Sequence, residues 1–128
     1  MAAMSNYLEL KFLDHFTGRA STSAPSNVYV SLWTSDPTDA GSGNEVSGTG
    51  YARQAITWDA ASGGTIDNAA VTDFPAAGAS WGTVTHFGIH DAATSGNLLF
   101  HGALSASKAI ATNDIFRIAA GGITITAA

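Results

Sequence analysis

The feature that most constrains this chain is a change in hydrophobic period after residue 27. Ahead of it, apolar residues recur every four positions, at Met4, Leu8, Phe12 and Phe16. This spacing is typical of an amphipathic helix. Beyond the change, apolar residues alternate with polar or small ones in short runs separated by glycine-rich turns, which is typical of strands. The sequence therefore predicts one N-terminal helix followed by a β-rich body.

The predicted helix covers residues 5–17. Asn6 can cap its first turn, and Glu9 follows three residues later, as in a capping box. Gly18 stands directly after the last apolar position, where glycine commonly ends helices. Two interpretations of the apolar stripe stay open, since the helix can pack on its own domain or dock on a neighbouring subunit.

The strands predicted after the helix are short and regularly spaced. They cover residues 28–33, 51–58, 65–66, 70–74, 81–90, 97–104, 108–111, 115–118 and 123–126. This pattern, without intervening helices, favours a mainly β fold, namely a single-domain antiparallel β-sandwich of the jelly-roll type with one N-terminal α-helix. The domain takes in residues 1–128, with the sandwich over 28–126.

The run over residues 81–90 is the longest alternating one. Strict alternation assigns one face of this strand to Trp81, Thr83, Thr85, Phe87 and Ile89, and the other face to Gly82, Val84, His86, Gly88 and His90.

Composition excludes several classes of protein. Charged residues make up 12% of the chain, against roughly 25% in an ordinary soluble domain. The net charge of -5 argues against nucleic-acid binding, which needs a dense field of lysine and arginine. No apolar stretch is long enough to span a membrane, and no signal peptide is visible. The chain has no cysteine, so we expect neither disulfides nor thiolate metal sites.

The sequence offers little support for an enzyme. No nucleophile motif of the Gly-x-Ser-x-Gly type occurs. His86, His90 and His101 are the best candidate metal ligands, but on one strand His86 and His90 would lie roughly 13 Å apart. One zinc ion cannot bridge that gap, because each nitrogen must lie within about 2.1 Å of it. We therefore predict that the protein is no enzyme and holds no metal or cofactor, although calcium remains a minor alternative.

Other polar and aromatic residues have structural interpretations. Asp36, near Asp39 in a loop, is expected to accept backbone hydrogen bonds in its turn. Three tryptophans could bind sugars if exposed, but their strand positions favour core packing; they are Trp33, Trp58 and Trp81. Asp67 and Asp73 bracket a short strand and form no convincing acid–base pair.

The weakly charged composition suggests a surface that meets other proteins. Tyr7, Leu8 and Phe12 on the helix are the candidate interface residues, together with Arg53 as an ion-pair former. Arg53 and Arg117 both fall in predicted strands, where arginine can pair bidentately with a carboxylate within a subunit or across an interface.

Several segments of the chain resemble a family of small bacteriophage virion structural proteins, whose members are commonly labelled phage tail-fibre proteins. The segments are residues 28–38, 43–46, 50–54, 81–92 and 96–99, with the N-terminal helix and the closing 119–124 region. Proteins of this size and build are also similar to capsid decoration or cement proteins, which are often β-sandwiches. The resemblance covers nearly the whole chain and carries no catalytic signature.

The resemblance implies a virion structural protein, located in the virion after synthesis in the host cytoplasm. A capsid decoration or cement protein that forms a homo-oligomer, a dimer or trimer, and stabilises the head is the leading expectation, because one compact domain lacks the length of a host-recognising shaft. Its partners would be other copies and the major capsid protein or another virion protein. The alternative is a tail-fibre or tail-tip component that binds the host surface.

Overall fold

The structure is a computed structural model that describes residues 2–127. Its one helix, α1, covers Asn6–Phe16. The strands are β1 (Ala2–Met4), β2 (Val28–Trp33), β3 (Gln54–Ile56), β4 (Thr65–Asp67), β5 (Thr72–Asp73), β6 (Gly82–His90), β7 (Leu98–Ile110), β8 (Arg117–Ile118) and β9 (Thr124–Thr126). Within residues 2–127, no helix has the length and apolar character needed to cross a membrane.

A five-stranded antiparallel sheet in the order β1-β7-β6-β2-β3 forms the main layer. Two small two-stranded pairs, β4-β9 and β5-β8, belong to the second layer. The predicted fold class is confirmed, because the protein is mainly β and antiparallel, with one helix at its N-terminal end.

The hydrophobic core lies between these layers. The main sheet contributes Val30, Leu32, Val84, Phe87 and Ile89, and the second layer and its connections contribute Phe74, Phe116, Ile118, Ile123 and Ile125. The opposite face of the main sheet carries polar and aromatic side chains, among them Ser31, Trp33 and His90. These side chains are buried as well, so the central strands are covered on both faces.

The predicted strands differ from the observed ones where strands are joined, shortened or missed. Residues 97–104 and 108–111 belong to one continuous strand, β7. Three predicted strands lose two or more residues, since only Gln54–Ile56 of 51–58, Thr72–Asp73 of 70–74 and Arg117–Ile118 of 115–118 form strands, although Trp58 makes an isolated bridge with Asn68. Strand β1 was not predicted, since Met4 matches the helical period although it lies in the sheet opposite Phe100. Three residues are too few for an alternating pattern to emerge.

Strict alternation fails along β6. Register shifts occur between Val84 and His86 and again between Ile89 and His90. A β-bulge adds residues to one strand and turns the following side chains to the other face. The assignment of Val84 to the face of His86 is therefore wrong, because Val84 lies fully buried in the core between the layers.

Candidate functional site

The most unusual surface of the molecule is the segment over residues 6–27, here called the arm. It comprises α1 and the return to β2, and none of its residues is buried. The described residues include seven exposed large hydrophobic side chains, and five of them lie on α1: Tyr7, Leu10, Phe12, Leu13 and Phe16. Soluble domains rarely expose so much contiguous apolar surface without a partner.

One line of side chains along α1, here called the stripe, consists of Leu8, Phe12 and Phe16. Residues four apart share a helix face, and the rings of Phe12 and Phe16 lie 4.9 Å apart between centroids. Leu8 is half-buried at the base of the arm, whereas 47% of Phe12 and 73% of Phe16 are exposed. The stripe therefore runs from the body of the protein outward into solvent.

The base of the arm is held firmly by Ser5. This residue is the N-cap of α1, since its hydroxyl accepts a hydrogen bond from the Leu8 amide at 3.1 Å. The same hydroxyl donates to the Leu98 carbonyl, and the Ser5 amide donates to the Leu99 carbonyl at 2.8 Å. The prediction that Asn6 is the cap is wrong, because the helix already includes Asn6. The cap thus also ties the helix to the start of β7.

The C-terminal end of α1 is capped at Gly18, as the sequence predicts. Gly18 has a φ of +78°, and its amide donates to the His15 carbonyl, while the Arg19 amide donates to the Asp14 carbonyl. These two bonds form a Schellman motif. The Arg19 Nε also bonds Asp14 Oδ1 at 2.8 Å. The arm is therefore an ordered projection with both helix ends satisfied.

An apolar groove of about 540 Å³ opens between the two layers at the base of the arm. Its walls include Leu8 from the stripe and the side chains of Val28, Trp58, Ile66, Phe100 and Ile125. None of the described residues that line it is charged. Stripe and groove therefore form one continuous apolar surface that meets at Leu8.

The loop over residues 34–50 folds back on its own domain. The Asn6 amide donates to the Asp39 carbonyl at 2.9 Å, and the Val46 amide donates to the Leu32 carbonyl at the same distance. His101 Nε2 lies 2.7 Å from Asp39 Oδ1. The loop thus braces the arm base from the polar side of the sheet.

Arg53 holds the end of this loop. Its Nε and Nη2 each bond a Glu45 carboxylate oxygen at 2.8 Å, and its Nη1 donates to the carbonyls of Ala92 and Ser95. The Tyr51 hydroxyl also donates a hydrogen bond to Glu45, at 2.6 Å. We call these three residues, Glu45, Tyr51 and Arg53, the clamp. The structure places the predicted ion pair within the subunit, away from the arm.

Electrostatics in the clamp favour the ionised pair. Burial alone would raise the pKa of Glu45, but hydrogen bonds from Arg53 and Tyr51 outweigh it and hold that pKa below its usual value. The hydrogen bond between Arg53 and Glu45 also raises the pKa of Arg53. Burial, together with the hydrogen bond to Glu45, raises the pKa of Tyr51. The clamp is therefore a fixed structural element.

A buried polar group lies beside the clamp on the same face of the sheet. The Trp33 Nε1–H donates to Ser31 Oγ at 2.7 Å, and that oxygen lies 3.1 Å from His90 Nδ1. The Trp33 and His90 rings are parallel with centroids 6.2 Å apart. Burial, and then the charge of Arg53, lower the pKa of His90 to about 4. Ser31 has no exposed surface, so its hydroxyl, which contacts His90, is not accessible to a substrate.

The three candidate metal-binding histidines do not converge. His90 contacts Ser31, His86 Nδ1 lies 2.8 Å from Thr85 Oγ1, and His101 pairs with Asp39. Residues 2–127 contain no group of three or more side chains placed to hold a metal ion. His90 and His101 are buried, whereas His86 is half-buried.

The remaining predicted roles are structural. Asp36 accepts the Thr38 amide at 2.8 Å, as expected of a turn residue. Trp81 is buried in the core and Trp58 packs against it, so core packing is confirmed for these two. Trp33 is also buried, but on the opposite face of the main sheet. Asp67 accepts a hydrogen bond from Thr124.

Arg117 forms a second ion pair within the subunit. Its Nε and Nη2 bond the two oxygens of Asp73 at 2.7 and 3.0 Å. Hydrogen bonding to Arg117 lowers the pKa of Asp73, although the pair is solvent-exposed.

Among the predicted interface residues, Tyr7, Leu8 and Phe12 all lie on the arm, whereas Arg53 does not. Sequence reasoning missed Leu10, Leu13 and Phe16 as exposed residues. A signal existed for Leu10 and Leu13, because both lie outside the stripe. A helix apolar on more than one side needs cover on more than one side.

Comparison with known proteins gives one family. Residues 3–126 match the family described as podophage GP4 fiber I protein gp80. A search of curated proteins found no match to the chain.

Proposed function

Since the chain belongs to the family of the podophage GP4 fiber I protein gp80, a family of phage virion structural proteins, we propose that it is a subunit of a virion fibre. In this role the domain is a compact building block, and the arm is the surface through which it joins other protein chains of the particle. Its work is structural and needs no catalysis and no cofactor.

The observation that supports this role is the exposed arm. An isolated helix of 11 residues is marginal in water, because helices shorter than about 12–15 residues gain too little from their own hydrogen bonds. Most helices in proteins are stabilised by packing an apolar face, yet α1 buries no residue. A partner that covers the arm supplies that packing, and assembly into a fibre provides such partners.

Decoration of the capsid, the leading expectation from the sequence, stays a prediction. It requires a domain that binds an assembled shell and stabilises it by mass action. The family description names a fibre, so the tail-fibre alternative now has the better support. Binding of a host surface is a further possibility for a fibre, and no feature described above favours it.

The experiment is to image intact particles by electron cryomicroscopy with and without an antibody fragment bound to this chain. We expect the added density on fibres. A matched particle preparation that lacks the protein should lose the same density. Label distributed over the head lattice in symmetry-related positions would contradict the fibre role and favour decoration.

A further inference from the structure

We propose that two copies of this chain associate through antiparallel pairing of their α1 helices, with Phe16 of each copy seated at the groove of the other. This deepens the proposed function by naming the partner of the arm as a second copy. It rests on that function only in treating the arm as an assembly surface.

The spacing of the stripe makes it self-complementary in an antiparallel pair. Leu8, Phe12 and Phe16 are evenly spaced by four residues, so a two-fold axis beside Phe12 places Phe12 against its copy. The same axis places Phe16 against Leu8 of the second copy. A two-fold interface requires this reciprocity, since each contact must occur twice.

The groove gives Phe16 a place to bind. Leu8 is both the inner end of the stripe and part of the groove wall. Any residue that lies against Leu8 of the second copy is therefore at the mouth of that apolar groove. Phe16 is the most exposed large hydrophobic residue among those described, at 73%. Each copy thus supplies one protruding aromatic side chain and one uncharged groove to receive it.

The dimensions agree with this arrangement. Leu8 and Phe16 are separated by about 12 Å along the helix, at a rise of 1.5 Å per residue. Because the second copy has the same separation, each Phe16 reaches Leu8 of the other copy when the two helix axes lie about 8–10 Å apart. The hydrogen bonds of Ser5 to Leu98 and Leu99 fix the arm on the body, so both copies present the stripe in the same orientation.

The available area predicts a weak dimer. Stripe-to-stripe pairing leaves Tyr7 and Leu10 on the far side of the helix. The exposed parts of Phe12 and Phe16 amount to roughly 200–300 Å² of apolar surface per copy, given that large aromatics bury about 150–250 Å² each. Two copies, with the groove mouths that Phe16 covers, would then bury less than about 1,000 Å², in the range of weak, transient contacts. We expect an equilibrium between monomer and dimer that shifts at about 0.1–1 mM protein.

Cysteine cross-linking tests the register, because the chain has no cysteine of its own. In the antiparallel pair, Phe12→Cys alone should form a disulfide-linked dimer under mild oxidation. Leu8→Cys and Phe16→Cys should each stay monomeric alone and cross-link to one another when mixed. Cross-linking of Leu8→Cys to itself would show parallel helices and overturn the proposal.

Sedimentation equilibrium of the untagged protein tests the interface without oxidation. The wild-type chain should dimerise, and Phe12→Asp should be monomeric at every concentration reached. Ile115→Asp is the matched control, because Ile115 is 58% exposed and lies outside the arm. A monomeric wild-type chain, or equal dimerisation of Phe12→Asp, would overturn the inference and leave another virion protein as the occupant. Neither result depends on where the protein lies in the particle, so the fibre role is tested separately.

Discussion

At the scale of single residues, Gly88 decides whether the buried polar group can form. A Cβ at this position would lie 2.7 Å from Ser31 Oγ and 2.9 Å from Trp33 Nε1. We expect Gly88→Ala to lower the free energy of unfolding by about 1–3 kcal/mol, because the neighbours must shift to admit a methyl group. Urea denaturation measures this loss. Thr83→Val, an exposed change on the same strand, is the control and should be near neutral.

His90 makes the stability depend on pH. Its pKa is about 4 in the folded protein, against 6.5 ordinarily, so between these values the unfolded chain binds more protons at this site. The stabilisation is therefore complete above pH 6.5 and is lost as pH falls toward 4. We expect His90 to account for about 2 kcal/mol of the loss between pH 6.5 and 4.5.

The measurement compares wild type with His90→Asn in denaturant titrations across that range. The variant should lose less stability on acidification than wild type. Thr83→Val, an exposed and non-titrating change on the same strand, serves as the control and should follow the wild-type curve. If the His90→Asn curve runs parallel to wild type, burial of His90 is not what sets the pH dependence. Glu45 also stabilises less in acid because its pKa is lowered, but its contribution falls below the window.

At the scale of elements, the attachment of α1 depends on Ser5. Ser5→Ala removes the cap of the helix and the donor to the Leu98 carbonyl. We expect a loss of about 1–2 kcal/mol in the free energy of unfolding, at the upper end for an N-cap because the residue is buried. Ser23→Ala, in the exposed return of the arm, should cost much less under the same denaturation conditions.

The clamp fixes the loop through geometry that only arginine supplies. Lysine keeps the charge of Arg53 but cannot make four bonds to Glu45 and two carbonyls at once. We expect Arg53→Lys to destabilise by about 2 kcal/mol, since hydrogen bonds to charged groups are worth about 1.5–3 kcal/mol each. Arg117→Lys changes an equivalent but exposed pair, and its midpoint of thermal unfolding should hardly move. Equal effects of the two changes would argue against the buried clamp.

How much the sequence predicts depends on the length of each element. Strand β2 is predicted to the residue because Val28, Val30 and Leu32 alternate with Tyr29, Ser31 and Trp33 in one unbroken run. The end of α1 is predicted because Gly18 has the left-handed conformation that favours glycine. Strand β1 and the register shifts between β6 and β7 are not predictable, since pairing between distant segments determines them.

The candidate site is predictable only in part for a similar reason. The stripe is visible in the sequence, but periodicity does not tell whether a helix faces its own core or outward. The partner of Arg53 lies eight residues away in a loop, and no local pattern pairs the two. Residues that line the groove come from α1, β2, β3, β4, β6, β7 and β9 and meet only through the fold.

At the scale of the whole molecule, association should add to stability. A partner that binds the folded chain and not the unfolded one raises the midpoint of thermal unfolding as protein concentration rises. We expect this rise for wild type and for Ile115→Asp, and its absence for Phe12→Asp. Differential scanning calorimetry over a wide concentration range measures it. A midpoint independent of concentration for wild type would mean that the arm stays uncovered.

The pairing of β1 with β7 also orders events during synthesis. Ala2 lies opposite Gly102, one hundred positions apart along the chain, so the first strand has no partner until most of the protein has left the ribosome. Closing such a long loop costs entropy and slows folding. Because the arm is anchored to the same start of β7, its orientation is set at the end of folding. Chains in which β7 is not yet made therefore lack an oriented arm.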